Sequence, residues 1–133
     1  MRSIPSGFAI ILIVLLLGCS HQSLSPEQRQ VIGTWSLMKP SDHGSVYREL
    51  IFHPDGDTLT TTCRSVFDDA IANGTGEGKW TVQNGIVNIK WIEKQTVGQH
   101  TQDIEYDLSL RIDGAGDKTS LIALSNQDQY TRK

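Results

Sequence analysis

The sequence predicts an all-β domain, a small eight-stranded antiparallel up-and-down barrel with a short N-terminal helix. Apolar and polar residues alternate in run after run, most cleanly where Ile104, Tyr106, Leu108, Leu110 and Ile112 interleave with Glu105, Asp107, Ser109 and Arg111. A two-residue period turns one face of a strand to a core and the other to water. Pro54-Asp55-Gly56 and Asn84-Gly85 punctuate the runs with residues that accept the backbone angles of tight hairpins. Consecutive antiparallel strands sharing one apolar face lose their exposed edges by closing on themselves.

The elements follow in chain order. Ser25-Pro26-Glu27-Gln28 places Ser at an N-cap, Pro at the first helical position and Gln three residues after the Ser, a capping box. Gly33 and the β-prone Thr34-Trp35 end this helix after about two turns. Strands are expected at Gly33 to Met38, Val46 to His53, Thr58 to Cys63, Lys79 to Gln83, Ile86 to Glu93, Asp103 to Ile112, Ser120 to Ser125 and Gln129 to Arg132. Val87, Ile89 and Trp91 repeat the alternation, as do Trp80 and Val82, and Asp113 to Lys118 forms a looser turn. Most of these strands run about six residues, and an eight-stranded barrel is only just wide enough for its own side chains or one small ligand.

Two segments stand out. From Arg64 to Asn73, Val66, Phe67, Ala70 and Ile71 fall at helical spacing with Asp68 and Asp69 opposite, predicting a short helix between the third and fourth strands. It could plug the core or cover a barrel mouth. Gly74-Thr75-Gly76-Glu77-Gly78-Lys79 invites comparison with a phosphate loop, but the spacing is off by one, and Trp80 stands where a Ser or Thr must hold magnesium. It is expected to be a flexible turn before a strand.

The first eighteen residues differ from the rest. Met1-Arg2 supplies a positive start, and Gly7 to Leu17 is an unbroken apolar or small run of eleven residues, too short for a membrane span of about 20. Its length and flanks are those of a secretory signal, and Leu16-Leu17-Gly18-Cys19 resembles the lipobox of bacterial lipoproteins, with Leu17 bulkier than the usual residue there. The resemblance implies cleavage before Cys19, a diacylglycerol thioether on its sulfur and an acyl chain on its new amine. Two or three chains make attachment effectively permanent, since each buried methylene contributes about 0.8 kcal/mol. Ser20 lacks the aspartate that favours inner-membrane retention in enteric lipoproteins, so the resemblance places the domain on the periplasmic face of the outer membrane. Residues 1–18 are then the signal peptide, 19–25 a lipidated tether reaching roughly 13 Å, and 26–133 the barrel domain.

The mature chain of 115 residues (133 less 18) carries 11 Lys and Arg against 15 Asp and Glu, a formal charge of −4. Lys79, Lys90, Lys94 and Arg111 are interspersed with acids, a mixed solvated face rather than the clustered cations that bind nucleic acid. With Cys19 assigned to lipid, Cys63 is an odd thiol, either buried as a small apolar residue or bridged to another molecule. His21, His43, His53 and His100 are scattered, and Asp55-Gly56-Asp57 lacks the rest of a calcium loop, so no metal and no cofactor are expected. No nucleophile elbow surrounds Ser45 or Ser65, and Asp68 and Asp69 are adjacent in sequence and diverge in space. No catalytic residue, and no enzyme, is expected.

Val31-Ile32-Gly33-Thr34-Trp35 behind a short helix, Phe52-His53-Pro54-Asp55-Gly56, Gly78-Lys79-Trp80 and the terminal Tyr130-Thr131-Arg132 together resemble the small bacterial lipocalin-like (calycin) lipoproteins, in order across the mature domain. The resemblance implies a first-strand Trp at the closed end of the barrel crossed by a late Arg, which pairs Trp35 with Arg132 in a structural cation–π contact. It also implies an envelope protein holding a small apolar or amphipathic ligand. The alternative is a solid barrel that docks or inhibits an envelope protein.

Overall fold

The computed structural model describes residues 23–133. The expected signal peptide and the lipidation site Cys19 lie outside the described residues. Helix α1 (Pro26–Val31) is followed by β1 (Gly33–Ser41), β2 (Gly44–Phe52), β3 (Thr58–Phe67), β4 (Ala70–Gln83), β5 (Ile86–Val97), β6 (His100–Asp113), a single 3-10 turn (Gly116–Lys118), β7 (Ser120–Ala123) and β8 (Gln129–Arg132). The strands pair in sequence order, all antiparallel, and β8 returns to β1 to close the barrel. The eight strands and their up-and-down order follow the alternation and turn signals of the sequence.

Helix α1 seals one end. The Ser25 hydroxyl accepts from the Gln28 backbone N–H at 3.1 Å, and the Gln28 side chain accepts from the Ser25 N–H at 2.8 Å, completing the capping box. Glu27 accepts from the Gly85 N–H at 2.8 Å, and the Gln28 amide donates to the Gly56 carbonyl at 3.2 Å. The helix is thereby fastened to the β4–β5 and β2–β3 turns. Its last carbonyls have no helical partner and are met from the barrel: Trp35 Nε1 donates to Val31 at 2.8 Å, and the Arg132 guanidinium donates to Ile32 at 3.0 Å and Gln30 at 2.7 Å. Arg132 lies 4.3 Å from the centre of the buried Trp35 ring.

Above this closure the inward residues form the core. Trp35, Leu50, Phe52, Leu59, Trp80, Val87, Ile89, Leu110, Leu121 and Tyr130 are all buried, and Phe52 meets Trp80 edge to face at 5.3 Å. In the β2–β3 turn, Asp55 accepts from the Asp57 and Thr58 N–H groups at 2.8 Å each. The Thr58 hydroxyl and these backbone donors hold its carboxyl down at about 2.

Three expectations are corrected. Arg64 to Asn73 is not a helix but the end of β3 and the start of β4, paired Ser65 to Ala72 and Phe67 to Ala70 around an Asp68-Asp69 turn. Asp68 adopts φ +48°, the left-handed backbone that hairpin turns demand and Asp tolerates. Cross-strand pairing outweighs the local helical spacing. Gly74 to Lys79 is likewise not a turn, because it lies inside β4 and is paired on both sides, to β3 and to β5. Finally, β3 to β6 run 10, 14, 12 and 14 residues rather than about six.

Trp35 joins helix, barrel floor and Arg132, so Trp35→Ala is expected to cost about 3–5 kcal/mol. Urea unfolding followed by circular dichroism measures this, and an unchanged midpoint would show that the closed end does not depend on the ring.

Candidate functional site

The long strands rise past the apolar core to an open end, formed by the β1–β2, β3–β4 and β5–β6 turns. On the inward face of β4 every second residue from 74 to 78 is glycine, and the neighbouring strands fill the space left. A Cβ on Gly78 would lie 2.6 Å from Trp91 Cβ and collide with the Lys90 carbonyl oxygen, one on Gly76 would lie 2.6 Å from Thr61 Oγ1, and one on Gly74 would collide with Glu93 Oε1. Glycine is used here for close approach rather than for flexibility.

Glu93 is fully buried in that space. One carboxylate oxygen, Oε2, accepts from Arg48 at 3.0 Å and from Trp91 Nε1 at 3.2 Å. The Arg48 side chain is 12% exposed and that of Glu93 0%. The guanidinium also lies 5.3 Å from the Trp91 ring and 5.1 Å from that of Tyr106, and those two rings stack at 4.8 Å. Tyr106 in turn accepts from the Gln95 amide at 2.7 Å. The cation of β2, the carboxylate of β5 and the rings of β5 and β6 thus form a polar floor across the mouth.

The floor is incompletely satisfied. Among the described residues, the buried Glu93 Oε1 and Thr61 Oγ1 meet no hydrogen-bond partner. A buried polar atom left unpaired costs roughly 1–3 kcal/mol, so both are set to meet a donor or an ordered water. Register continues the inward face above the floor through Cys63, Ser65, Ala72 and Gly74 to Phe67 and Val97 near the hairpin tips. Phe67 and Val97 are exposed. A hollow of about 450 Å³ lies against Gln95, Val97, His100, Thr101 and Gln102. A wider hollow, about 1290 Å³, is an open wedge beside Ser23 to Pro26 at the opposite end, lined by Arg29, Asp55 and Asp57 among others. The floor residues, with their charge pair and unpaired atoms, make the stronger site.

Of the residues singled out in the sequence, Cys63 lies in the wall above the floor and the others fall elsewhere. Trp35 and Arg132 form the closed end, far along the barrel from the mouth. Cys63 is half-buried on the inward face of β3, opposite Arg48 on one side and Gly74 on the other. His53 meets Thr60 Oγ1 at 2.7 Å on the barrel flank. Among the described residues no three His, Cys, Asp or Glu side chains converge as metal ligands. Lys79 pairs with Asp57 at 2.8 Å and Lys90 with Asp107 at 3.8 Å, all four exposed.

Sequence reasoning missed Arg48, Glu93 and Thr61. A signal existed: in the β5 alternation Val87, Ile89, Trp91, Glu93 a charge occupies a core position, and a buried charge requires a partner. Comparison with family models, with curated proteins and with solved structures finds no match for this chain.

Removing one partner of a buried pair leaves an uncompensated charge, so Arg48→Met is expected to lower stability by about 3–5 kcal/mol. Arg48→Met combined with Glu93→Leu should recover most of that loss. A double-mutant cycle in urea decides, and additive losses would mean the two groups are not coupled.

Tyr130, buried on β8, has its phenol pushed up to about 12, by burial first, against the opposing pull of Arg48. With the folded value raised above the ordinary 10, its contribution to stability is complete below about pH 10 and is lost as pH rises through 12. Tyr130→Phe should therefore move the alkaline unfolding midpoint upward, and an identical midpoint would show that this phenol does not control it.

Proposed function

We propose that this chain is a lipid-anchored envelope protein whose lipocalin-like barrel binds, rather than transforms, a small amphipathic molecule at its open end. On this reading lipid on Cys19 holds the domain at the periplasmic face of the outer membrane. The ligand's polar head sits on the Arg48–Glu93 floor, and its apolar part follows the inward wall of β3 to β5. The observation that carries the reading is the buried, unpartnered carboxylate oxygen of Glu93 at the base of a mouth built from small side chains. A purely apolar ligand fits this floor less well than one that donates a hydrogen bond. The resemblance to lipocalin-like lipoproteins and the lipobox support the same reading.

The full chain, extracted in a non-ionic detergent, tests it. Trp91 beside Glu93 reports on the site, so dodecanol and dodecylammonium should change the tryptophan fluorescence saturably. Glu93→Gln should weaken dodecylammonium at least tenfold. Cys19→Ser should shift the protein from the membrane to the soluble envelope fraction. Unsaturable titrations with both amphiphiles would remove the carrier reading and leave the solid-barrel alternative, and a membrane-bound Cys19→Ser protein would remove the anchor.

A further inference from the structure

The barrel closes over only part of its height. Strand β6 is fourteen residues long, yet only Leu110 to Asp113 pair with β7, and β8 pairs with β1 only at Trp35 and Ser36. Above that level the β7–β8 hairpin ends, with the Leu124 N–H bonded to the Ser109 carbonyl at 3.0 Å and Lys39 bridged to Asp128 at 3.1 Å. From His100 to Leu108, no strand among the described residues pairs with the side of β6 that faces away from β5.

The direction of the backbone groups follows from two bonds. The Ile112 N–H points to the β5 side, where it donates to Gly85, whereas the Ser109 carbonyl points to the β7 side. The β5–β6 register is unbroken from Ile86–Arg111 to Val97–His100, so the alternation holds throughout. Thr101, Asp103, Glu105 and Asp107 therefore turn both N–H and C=O outward along the open edge. The side chains of these four residues are exposed, and three of them are acids.

Exposed edges usually carry a proline, a bulge or a cover. The facing edge of β1 has Lys39 and Pro40, but β6 has neither a proline nor a bulge. Its acids select among occupants. In an antiparallel pairing of two β6 edges centred on Glu105, Asp103 would face Asp107 and Glu105 would face itself, and like charges placed opposite one another are destabilising. A strand with Lys or Arg at alternate positions would meet those acids while its other face covered Ile104, Tyr106 and Leu108.

From this we infer that the β6 edge, residues 101–107, is a docking site for an extended basic segment of a partner protein, which adds to the barrel wall as a further strand. Main-chain hydrogen bonds supply the attachment, and charge at alternate positions supplies the selectivity. This site borders the mouth at Tyr106, but its main-chain ladder runs along the outer edge of β6 and does not depend on a ligand held in the mouth.

The test uses the full chain in non-ionic detergent and a fluorescently labelled peptide of alternating Lys and Val, seven residues long, followed by anisotropy. Saturable binding is expected, with an alternating Glu-Val peptide binding at least tenfold more weakly. Two substitutions at one position separate ladder from charge. Glu105→Gln removes the charge and keeps the N–H, whereas Glu105→Pro also removes an N–H that points away from β5, leaving the β5–β6 pairing intact. Near-ultraviolet circular dichroism checks that both variants fold. Glu105→Pro should bind at least tenfold more weakly than Glu105→Gln. Equal affinities for the two variants would reduce the contact to charge alone and overturn strand addition, as would no saturable binding to the native chain. Dimerisation of the native chain that Glu105→Pro abolishes would overturn the basic partner in favour of a second copy.

Discussion

Interior volume is the constraint on which the rest of this barrel depends. Eight strands enclose a space only just wide enough for their own side chains, so each large inward residue must be matched by a small one opposite. Trp80 and Phe52 share the lower layers edge to face. In the upper layers Trp91 and Glu93 fit only because β4 offers Gly74, Gly76 and Gly78 across from them. A methyl group on any of the three would collide with backbone or with the charge pair. The glycines, the stacked rings and the ion pair are thus one packing solution, and the polar character of the mouth follows from it.

That solution has an electrostatic side. Taking a carboxylate out of water costs several kcal/mol unless a cation and further donors replace the lost hydration. Arg48 and Trp91 replace it at one oxygen of Glu93, and the guanidinium lies 5.3 and 5.1 Å from the centres of the stacked Trp91 and Tyr106 rings. The other oxygen has no such replacement. Among the described residues the fold thus places a buried, incompletely compensated charge where the barrel opens, while the closed end satisfies the last carbonyls of its helix through Trp35 and Arg132.

Much of this was legible in sequence, and what was missed shares a cause. Alternation in Ile104 to Ile112 and the turn residues Asn84-Gly85 are local signals, and they specify strands and hairpins wherever neighbours agree. The capping box at Ser25 is equally local. Arg64 to Asn73 misled because its helical spacing is also local, whereas the pairing that overrides it comes from β2 and β5. The glycines of β4 read as a loop because their partners, Trp91 and Glu93, lie thirteen or more residues away. The site at Arg48 and Glu93 spans forty-five residues of sequence and becomes visible only when register brings the strands together. A charged residue in the apolar phase of β5 was its single trace.

The chain enters the barrel at the closed end, through α1, and the open end lies at the opposite pole. On the proposed anchoring at Cys19, a tether of about six residues sets the helix-sealed pole against the lipid. A fourteen-residue strand tilted as in small barrels rises about 35 Å, so the mouth and the free upper edge of β6 stand well clear of the surface. On that proposal, a ligand would arrive from the aqueous space between the membranes, not sideways out of the leaflet that holds the anchor. The proposed anchor would then work as a mooring that sets the direction of exchange, with the unpaired strand of the barrel wall turned toward that space.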